Sequence, residues 1–436
     1  MVAIVQKSSM LLTQRRFLAL FVVQFLGALN DNIFKNALII VLVFSAANDA
    51  ARASLLVNLA AGLFILPFFL FSAVAGQIAD KYDKTRLTRR IKQAELVIML
   101  FGAWALLSGS VVFMLAVLFV MGSQSAFFGP IKYAILPQVL SADELVEGNA
   151  QVEAATFIAI LFGTILGGLL ASAQETYFTV SIVVIIVAIG GLVASYFMPS
   201  SGDTQRAIKL SFNPFSQSYR LIKTIKSDPA IYCALLAISW FWFLGASYLT
   251  QIPVLTEQIL GGDNTVITAL LCAFTVGVAA GSGLCAHLSK GAIKLTLVIV
   301  GGIGFSVFGA DLYYSIASYQ QQSQVLQRVT AEIFLRDWAA LKILCDVVLL
   351  GLSGGLYAVP LYSYIQRYSE VDYRARTIAA NNILNALFMV LSAAVAIVML
   401  AIAGGSLADL LLFLAVLNIV VMVVFYRRTT TMQAVD

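Results

Sequence analysis

The sequence predicts an all-α integral membrane protein whose twelve transmembrane helices form two pseudo-symmetric six-helix bundles. Three observations support this fold class: an apolar composition, uncharged runs long enough to cross a bilayer, and a repeat between the two halves of the chain. The 436 residues are 61% hydrophobic and 11% charged, with a mean hydropathy of +0.93. Soluble globular domains are much less apolar, so the composition excludes a soluble enzyme.

The membrane-crossing segments are visible as uncharged runs. A helix crosses ~30 Å of hydrocarbon with about 20 residues, and the longest runs exceed that length. They are residues 53–79, 96–131, 176–202, 229–256 and 377–408. Their apolar residues do not alternate with polar ones, which excludes an outer-membrane barrel. Twelve spans are predicted, at 17–44, 54–79, 91–109, 111–136, 145–171, 177–197, 230–255, 265–287, 293–316, 339–366, 375–403 and 406–426.

Basic residues are distributed unevenly between the predicted loops. If the N-terminus is inside, 21 of the 27 Lys and Arg lie in cytoplasmic segments, Lys92 among them, and four lie in loops on the opposite side. The remaining two, Lys35 and Lys132, fall within spans. Cytoplasmic loops of bacterial membrane proteins carry such an excess. We therefore expect a multi-pass protein of the bacterial inner membrane with both termini in the cytoplasm. The net charge of +5 follows from this topology and requires no nucleic-acid partner.

The predicted domains are two helical bundles joined by a linker. They are an N-terminal six-helix bundle (1–198), a cytoplasmic linker (199–229) and a C-terminal six-helix bundle (230–436). In the linker, Asn213-Pro214 is a helix-start signal. Apolar residues then recur at helical spacing opposite basic ones, at Phe215, Tyr219, Ile222 and Ile225. This pattern predicts an amphipathic helix on the inner membrane surface.

Short motifs recur in the same order in the two halves. They are Phe25-Leu26-Gly27-Ala28 with Phe243-Leu244-Gly245-Ala246, Gly76 and Asp80 with Gly283 and His287, Pro130 with Pro360, and Asn149 and Glu153 with Asn381 and Asn385. Because all occupy equivalent topological positions, the chain reads as a duplicated six-helix unit. Transporters built from such repeats hold their binding site between the halves, near the middle of the membrane.

The loop that follows the second span has the pattern of a known family. Residues 76–86 resemble the loop between helices two and three of the major facilitator superfamily, G-x-x-x-D-[RK]-x-G-[RK]-[RK]. Asp83 stands where that pattern has Gly, and Thr85 where it has a basic residue. The resemblance implies that a cytoplasmic gate is formed by Gly76, Asp80, Lys81, Lys84 and Arg86. At a helix end, Asp80 can accept bonds from backbone N–H groups or from an arginine of the other half.

Three further segments narrow the resemblance. Residues 24–36, 128–137 and 143–149 are similar to bacterial lysophospholipid transporters, including those fused to acyltransferase and acyl-carrier-protein synthetase modules. The likeness is closest in the N-terminal half. It implies a secondary transporter that acts as a flippase, moving lysophospholipid to the cytoplasmic leaflet by alternating access. It also implies membrane lipids and a cytoplasmic acyltransferase as partners, and we expect a monomer. The alternative cargo is another amphiphile, such as a drug or siderophore.

The first predicted span carries ionisable residues at membrane depth, where they are costly. Gln24, Asp31 and Lys35 share one helix face, and Asn32 flanks it. Two interpretations are open. In one, the face lines the transport cavity and Asp31 takes a cationic head group or a coupling cation. In the other, Asp31 and Lys35 form a structural ion pair one turn apart.

The other candidate binding residues lie in later spans. They are Lys132, Glu153, Tyr357, Asn381 and Asn385. Lys132 offers a compact positive charge for a phosphate, or else it reaches to the interface or pairs with Asp31. If Asp31 and Lys132 lie near each other, a zwitterionic head group satisfies both. Tyr357 can serve the site or only pack.

A membrane-bound enzyme is the second function class, and the sequence speaks against it. Glycerolipid acyltransferases use H-x-x-x-x-D, whereas the single histidine, His287, is followed five residues later by Ala292. The phosphate-binding pattern G-x-x-x-x-G-K-[ST] is absent from the sequence, which argues against an ATP-driven pump. The four cysteines are widely separated within apolar segments. We therefore expect no catalysis, no metal and no cofactor.

Overall fold

The computed structural model describes residues 11–45, 50–171, 176–200, 208, 210–322 and 329–433. Twelve helices in these ranges are long and apolar enough to cross a membrane, which confirms the predicted fold class. Spans 1 to 12 are Arg15–Ser45, Ala50–Lys81, Lys84–Ser108, Val111–Ala134, Leu145–Ala171, Thr176–Tyr196, Pro229–Val254, Asn264–Ser289, Leu295–Gln322, Trp338–Tyr368, Arg374–Ile397 and Leu407–Gln433. Residues 201–207 and 209 of the predicted linker lie outside the described residues.

Shorter elements connect or extend these spans. Helices Leu136–Val139, Pro214–Ile225 and Ala331–Phe334 and 3₁₀ turns Ala142–Glu144 and Val371–Tyr373 lie between them. Spans 7 and 11 continue as the π-helical segments Leu255–Leu260 and Val398–Ile402. In the described ranges β-pairing is limited to one isolated bridge, Gly262 with Val329.

The turn between spans 2 and 3 shows why Asp83 replaces the glycine of the family pattern. Asp83 has φ −55° and ψ 120°, a conformation that any residue can adopt. Its carboxylate accepts the backbone N–H of Arg86 at 2.7 Å and so caps the start of span 3. An aspartate at this position therefore gains a helix cap without straining the turn.

The linker helix Pro214–Ile225 packs along span 2. Asn213 caps its start by accepting the N–H of Ser216 at 3.0 Å, and Leu221 and Ile225 are buried. On span 2, Gln77 donates to the side chain of Gln217 at 3.1 Å. Two aromatic side chains of the helix are left exposed, Phe215 and Tyr219. An amphipathic helix with exposed aromatic side chains is suited to the membrane interface.

Contacts divide the chain into two compact units. Unit 1 consists of Met1–Gly148, Ile158–Ser227 and Gln366–Ile383, and unit 2 consists of Asn149–Phe157, Asp228–Ile365 and Leu384–Asp436. Residues 149–157 of span 5 thus belong to unit 2, and residues 374–383 of span 11 belong to unit 1. Asn149 and Asn381, which the internal repeat pairs, lie in these two segments.

In unit 1, spans 1 and 5 approach closely at two glycines. A Cβ on Gly163 would lie 2.7 Å from the carbonyl oxygen of Leu29, and one on Gly167 would lie 2.5 Å from that of Ile33. Further along span 1, Phe34 and Leu38 belong to a buried apolar cluster. Small residues permit such backbone contact, which is how helices associate in lipid.

In unit 2, spans 8 and 10 meet in the same way. A Cβ on Gly281 would collide with the carbonyl oxygen of Leu352. A Cβ on Gly355 would lie 2.5 Å from the carbonyl oxygen of Val278. By contrast, Gly283 is exposed, and a Cβ there meets no described atom within 4 Å. The contact between these two helices therefore depends on Gly281 and tolerates change at Gly283.

We expect Gly281→Ala to lower stability and Gly283→Ala to leave it unchanged. The first substitution forces spans 8 and 10 apart, at a cost of about 1–3 kcal/mol, as overpacked cores show. Thermal unfolding of the purified protein in detergent, followed by the fluorescence of its four tryptophans, measures the difference. Equal shifts for both variants would contradict close packing at Gly281.

Candidate functional site

Asp31 lies in span 1 against span 4 in unit 1. The hydroxyl of Ser125 donates to Asp31 Oδ2 at 2.6 Å. Among the described residues, no ammonium or guanidinium group lies within 4 Å of this carboxylate. The Asp31–Lys35 ion pair, one of the two interpretations of the sequence, is therefore not formed. Asp31 is held by a neutral donor, and Lys35 and Lys92 act on its carboxylate only from beyond ion-pair distance.

Lys35 has different partners. Its ammonium donates to Asn32 Oδ1 at 2.8 Å and lies 5.5 Å from the centre of the Phe64 ring. Asn32 in turn donates from Nδ2 to the carbonyl oxygen of Ala28 at 2.8 Å. A neutral amide and an aromatic face thus hold the lysine one turn beyond Asp31.

Spans 1 and 4 run antiparallel past each other, which sets the position of Lys132. Gln24 donates to the backbone oxygen of Lys132 at 3.4 Å. Gln24 lies seven residues before Asp31 in span 1, and Lys132 lies seven residues after Ser125, the partner of Asp31, in span 4. At 1.5 Å per residue, Asp31 and Lys132 are therefore about 10 Å apart along the seam. The ammonium of Lys132 lies 4.7 Å from the ring centre of Tyr133. One acid and one base thus stand two helical turns apart on neighbouring helices.

Sequence reasoning missed a buried ion pair in span 3. Lys92 was assigned to a cytoplasmic segment, but span 3 begins at Lys84 and places Lys92 two turns inside it. Its ammonium lies 2.6 Å from Glu95 Oε2, and the two side chains are 0% and 2% exposed. The signal in the sequence was a lysine three residues before a glutamate, which puts opposite charges on one helix face.

Glu95 is also bonded to spans 1 and 4. Gln124 donates to Glu95 Oε2 at 3.2 Å, and Asn30 donates to Glu95 Oε1 at 3.4 Å. Gln124 and Asn30 are themselves buried. Because Asn30 and Gln124 adjoin Asp31 and Ser125 in sequence, this polar network lies beside the Asp31 carboxylate. We call Lys92, Glu95, Gln124 and Ser125 the relay.

Asp80 joins the end of span 2 to the start of span 11 within unit 1. Its Oδ1 accepts the N–H of Ala375 at 2.9 Å, and its Oδ2 accepts the N–H of Arg376 at 3.3 Å. Nε of Arg376 donates to the same Oδ2 at 2.8 Å. The first N–H groups of a helix lack partners within the helix and carry its positive dipole end. One buried carboxylate therefore binds a helix terminus and an arginine together.

The residues around Asp80 have separate roles in this contact. A Cβ on Gly76 would lie 2.7 Å from Ala379 Cβ, so only glycine lets the helices approach this closely. Lys81 donates to the backbone oxygen of Ile208 at 2.8 Å, which ties the linker to span 2. Lys84 is buried, whereas the Arg86 side chain is exposed.

The remaining candidate residues are divided between the units. Asn381 is buried in unit 1, whereas Glu153, Tyr357 and Asn385 are buried in unit 2. Asn385 accepts the hydroxyl of Ser239 at 3.0 Å. Tyr357 stacks on Phe241, with ring centres 6.5 Å apart. In the described structure its hydroxyl has no hydrogen-bond partner. The tyrosine thus brings an unused polar group into an aromatic cluster.

Comparison with known proteins places this arrangement in context. A family model described as Major Facilitator Superfamily matches residues 20–321. The lysophospholipid transporter LplT of Cronobacter sakazakii is 26% identical over 377 residues, covering 85% of this chain and 84% of that protein. The LplT of Salmonella paratyphi B is 27% identical over 374 residues, covering 84% and 83%.

Solved structures share the fold at low sequence identity. The human organic anion transporter MFSD10 superposes with a TM-score of 0.74 at 13% identity, covering 94% of this chain and 99% of that one. The fucose:proton symporter of E. coli superposes with a TM-score of 0.68 at 12% identity, covering 94% and 97%. At such identities the likeness concerns the fold alone.

We expect Asp80→Asn to loosen the start of span 11. A hydrogen bond to a charged group contributes about 1.5–3 kcal/mol, so amide exchange at Ala375 and Arg376 should rise on the order of tenfold or more. Hydrogen–deuterium exchange of a peptide covering 371–380 measures this. The matched control is Asp228→Asn, because Asp228 caps only its own helix, span 7. Unchanged exchange in 371–380 would refute the role of the Asp80 carboxylate.

Proposed function

Since this chain belongs to the major facilitator superfamily, we propose that it carries lysophospholipid across the inner membrane toward the cytoplasmic leaflet by alternating access. Membership makes it a multi-pass secondary transporter. In the proposal, the bundles 1–198 and 230–436 rock about a central site, the linker 199–229 joins them, and both termini are cytoplasmic. The protein acts as a monomer, and a cytoplasmic acyltransferase reacylates the delivered lipid.

The observation that carries this proposal is the Asp31 carboxylate, which has no ammonium or guanidinium group within 4 Å among the described residues. A lone negative charge inside a membrane protein is costly until a cation or a proton joins it. The ammonium of an ethanolamine or choline head group is such a cation. The names of the curated relatives support a lysophospholipid in that role, and a sugar would bring no charge to Asp31.

Lys132 supplies the second half of the proposed head-group site. It lies about 10 Å from Asp31 along the seam between spans 1 and 4, and its flexible four-carbon stem shortens that separation. A phosphate bound near Lys132 would leave the adjoining ammonium directed toward Asp31. Gln24, Asn32 and Lys35 line the span 1 side of this site in the proposal.

The unit 2 residues complete the cargo site in the proposal. Glu153, Tyr357 and Asn385 contact the lipid from spans 5, 10 and 11, and Asn381 adds an amide from the start of span 11. The aromatic cluster around Tyr357 offers apolar surface to an acyl chain, while the tyrosine hydroxyl retains its hydrogen-bonding capacity. A cargo with a polar head and one chain needs both kinds of surface.

The contact between Asp80 and span 11 serves as the cytoplasmic gate in the proposal. While Asp80 holds Ala375 and Arg376, the inner ends of spans 2 and 11 stay together. Cargo binding drives the transition only if it favours the conformation in which this contact is broken. Gly76, Lys81, Lys84 and Arg86 shape the loop that presents Asp80.

The cargo is tested with purified protein in liposomes. We expect faster inward movement of a labelled lysophosphatidylethanolamine but not of its two-chain parent, because a second chain doubles the apolar volume to be housed. Protein-free liposomes provide the background rate. Movement of a labelled amphiphilic drug or siderophore without lysophospholipid movement would replace the proposed cargo and leave the carrier.

Head-group chemistry separates the roles of Asp31 and Lys132. We expect Asp31→Asn to slow transport of lysophosphatidylethanolamine by roughly tenfold or more and transport of lysophosphatidylglycerol far less. Only the former lipid carries an ammonium that interacts with the Asp31 carboxylate. Lys132→Gln should slow both, since both carry phosphate. Initial rates in liposomes measure the effects.

The control for these variants is Asp143→Asn, which removes an exposed carboxylate. It should transport both lipids at the wild-type rate. Equal slowing of the two lipids by Asp31→Asn would return Asp31 to a structural role.

A further inference from the structure

We propose that Glu95, held by Lys92, is a positioning residue for the head-group site: through Gln124 and Ser125 it orients the hydrogen bond that presents Asp31 to a cationic head group. This inference rests on the proposed function. It concerns a buried ion pair in span 3 that touches no cargo itself. Its consequence is discrimination between lipids that carry an ammonium and lipids that do not.

The relay is a continuous series of polar contacts. Lys92 Nζ lies 2.6 Å from Glu95 Oε2, and Gln124 Nε2 lies 3.2 Å from the same oxygen. The hydroxyl oxygen of Ser125 lies 3.2 Å from Gln124 Oε1 and 2.6 Å from Asp31 Oδ2. Every separation is within hydrogen-bonding range. The chain therefore connects a buried ion pair to the carboxylate of the proposed site.

Glu95 fixes the orientation of the Gln124 amide. An ionised carboxylate only accepts hydrogen bonds, so the NH₂ group of Gln124 must face it. The amide oxygen then faces Ser125. Without the carboxylate, the amide could rotate and direct its NH₂ group toward the serine. The charge on Glu95 thereby determines that Ser125 faces the oxygen of the Gln124 amide and not its NH₂ group.

Ser125 has one hydrogen and two acceptors within reach. It donates to Asp31, which is the shorter contact and the charged acceptor, and charge-assisted bonds are the stronger ones. When a cationic head group binds Asp31, the carboxylate becomes a weaker hydrogen-bond acceptor. The Ser125 hydroxyl can then rotate and donate to Gln124 Oε1. Because the alternative acceptor is already in place, Asp31 can exchange its donor for the cation without leaving a buried hydroxyl unsatisfied.

Lys92 is the counter-ion of Glu95, and two glycines make room for the lysine. A Cβ on Gly27 of span 1 would lie 2.7 Å from Lys92 Nζ, and a Cβ on Gly191 of span 6 would lie 3.5 Å from the same atom. The ammonium fills the space that these missing side chains leave. Removing one partner of a buried ion pair is costly, because it leaves the other group buried without a counter-ion.

The internal repeat offers a matched glycine whose surroundings differ from those of Gly27. Gly27 and Gly245 occupy the same place in the Phe-Leu-Gly-Ala motif of spans 1 and 7. A Cβ on Gly245 meets no described atom within 4 Å, whereas one on Gly27 meets the ammonium. The need for glycine in span 1 thus comes from the ion pair. Buried ion pairs add little net stability, which favours a specific role over a purely structural one.

The experiment compares Gly27→Ala with Gly245→Ala in the full-length protein in liposomes. Both make the same change in the same motif, and only the first displaces the Lys92 ammonium. We expect Gly27→Ala to raise KM for lysophosphatidylethanolamine roughly tenfold, with kcat and the KM for lysophosphatidylglycerol altered less than about twofold. Gly245→Ala should match the wild type with both lipids.

Ser125 provides a second pair of variants that does not disturb the ion pair. Ser125→Ala removes the hydroxyl and should lower the preference for the ammonium-bearing lipid as Gly27→Ala does. Ser125→Thr keeps a hydroxyl and should retain the preference. These variants decide the matter if Gly27→Ala does not fold.

The possible outcomes separate the inference from the function beneath it. If wild-type protein carries both lipids and these variants slow the two equally, the relay is only structural and the cargo assignment stands. If wild-type protein carries neither lipid, the proposed function is wrong, and so is the positioning role of the relay. A selective loss with lysophosphatidylethanolamine, absent in Gly245→Ala and Ser125→Thr, supports the positioning role.

Discussion

The cost of a charged group inside the membrane governs the organisation of this protein. Each buried ionised residue needs partners, and the described helices supply them in three different ways. Lys92 and Glu95 neutralise each other within one helix. Asp80 takes a helix terminus and an arginine. Asp31 accepts a hydrogen bond from a hydroxyl and, among the described residues, has no ammonium or guanidinium group within 4 Å, unlike Glu95 and Asp80. The difference between these solutions separates structural charge from charge available to a ligand.

The internal repeat supplies a scaffold whose copies have diverged where these charges lie. Gly76 packs against span 11, whereas its counterpart Gly283 is open, and Asp80 is matched by His287. Gly27 faces an ammonium, whereas Gly245 faces none. The repeated motifs are thus present in both units, whereas the two described ion pairs that involve a fully buried acid, Lys92–Glu95 and Arg376–Asp80, lie in unit 1. Glycine thus permits close helix packing at Gly76 and leaves space for the Lys92 side chain at Gly27.

The site could be predicted only in part from the sequence. Asp31 and Lys132 stand out because charge is rare within apolar runs, and their helix faces follow from spacing alone. Lys92 did not stand out, because a basic residue near a span end resembles the cytoplasmic residues that set topology. Glu95 lies on the same helix face as Lys92, but only the packing of spans 1, 4 and 6 around the two residues shows that the pair is buried. The family pattern likewise identified Asp80, and not its bonds to Ala375 and Arg376.

Composition and long apolar runs were sufficient for the twelve spans, because hydrophobicity accumulates locally along the chain and needs no knowledge of neighbours. The repeat and the family were indicated by short motifs, such as the loop at residues 76–86. Tertiary structure alone decided that Ser125 meets Asp31, that Gln24 lies opposite Lys132, and that Gly27 leaves space for Lys92. These contacts depend on the register between helices far apart in sequence. A hydrogen bond forms or fails within a few tenths of an ångström, and that precision comes from the packing of whole helices.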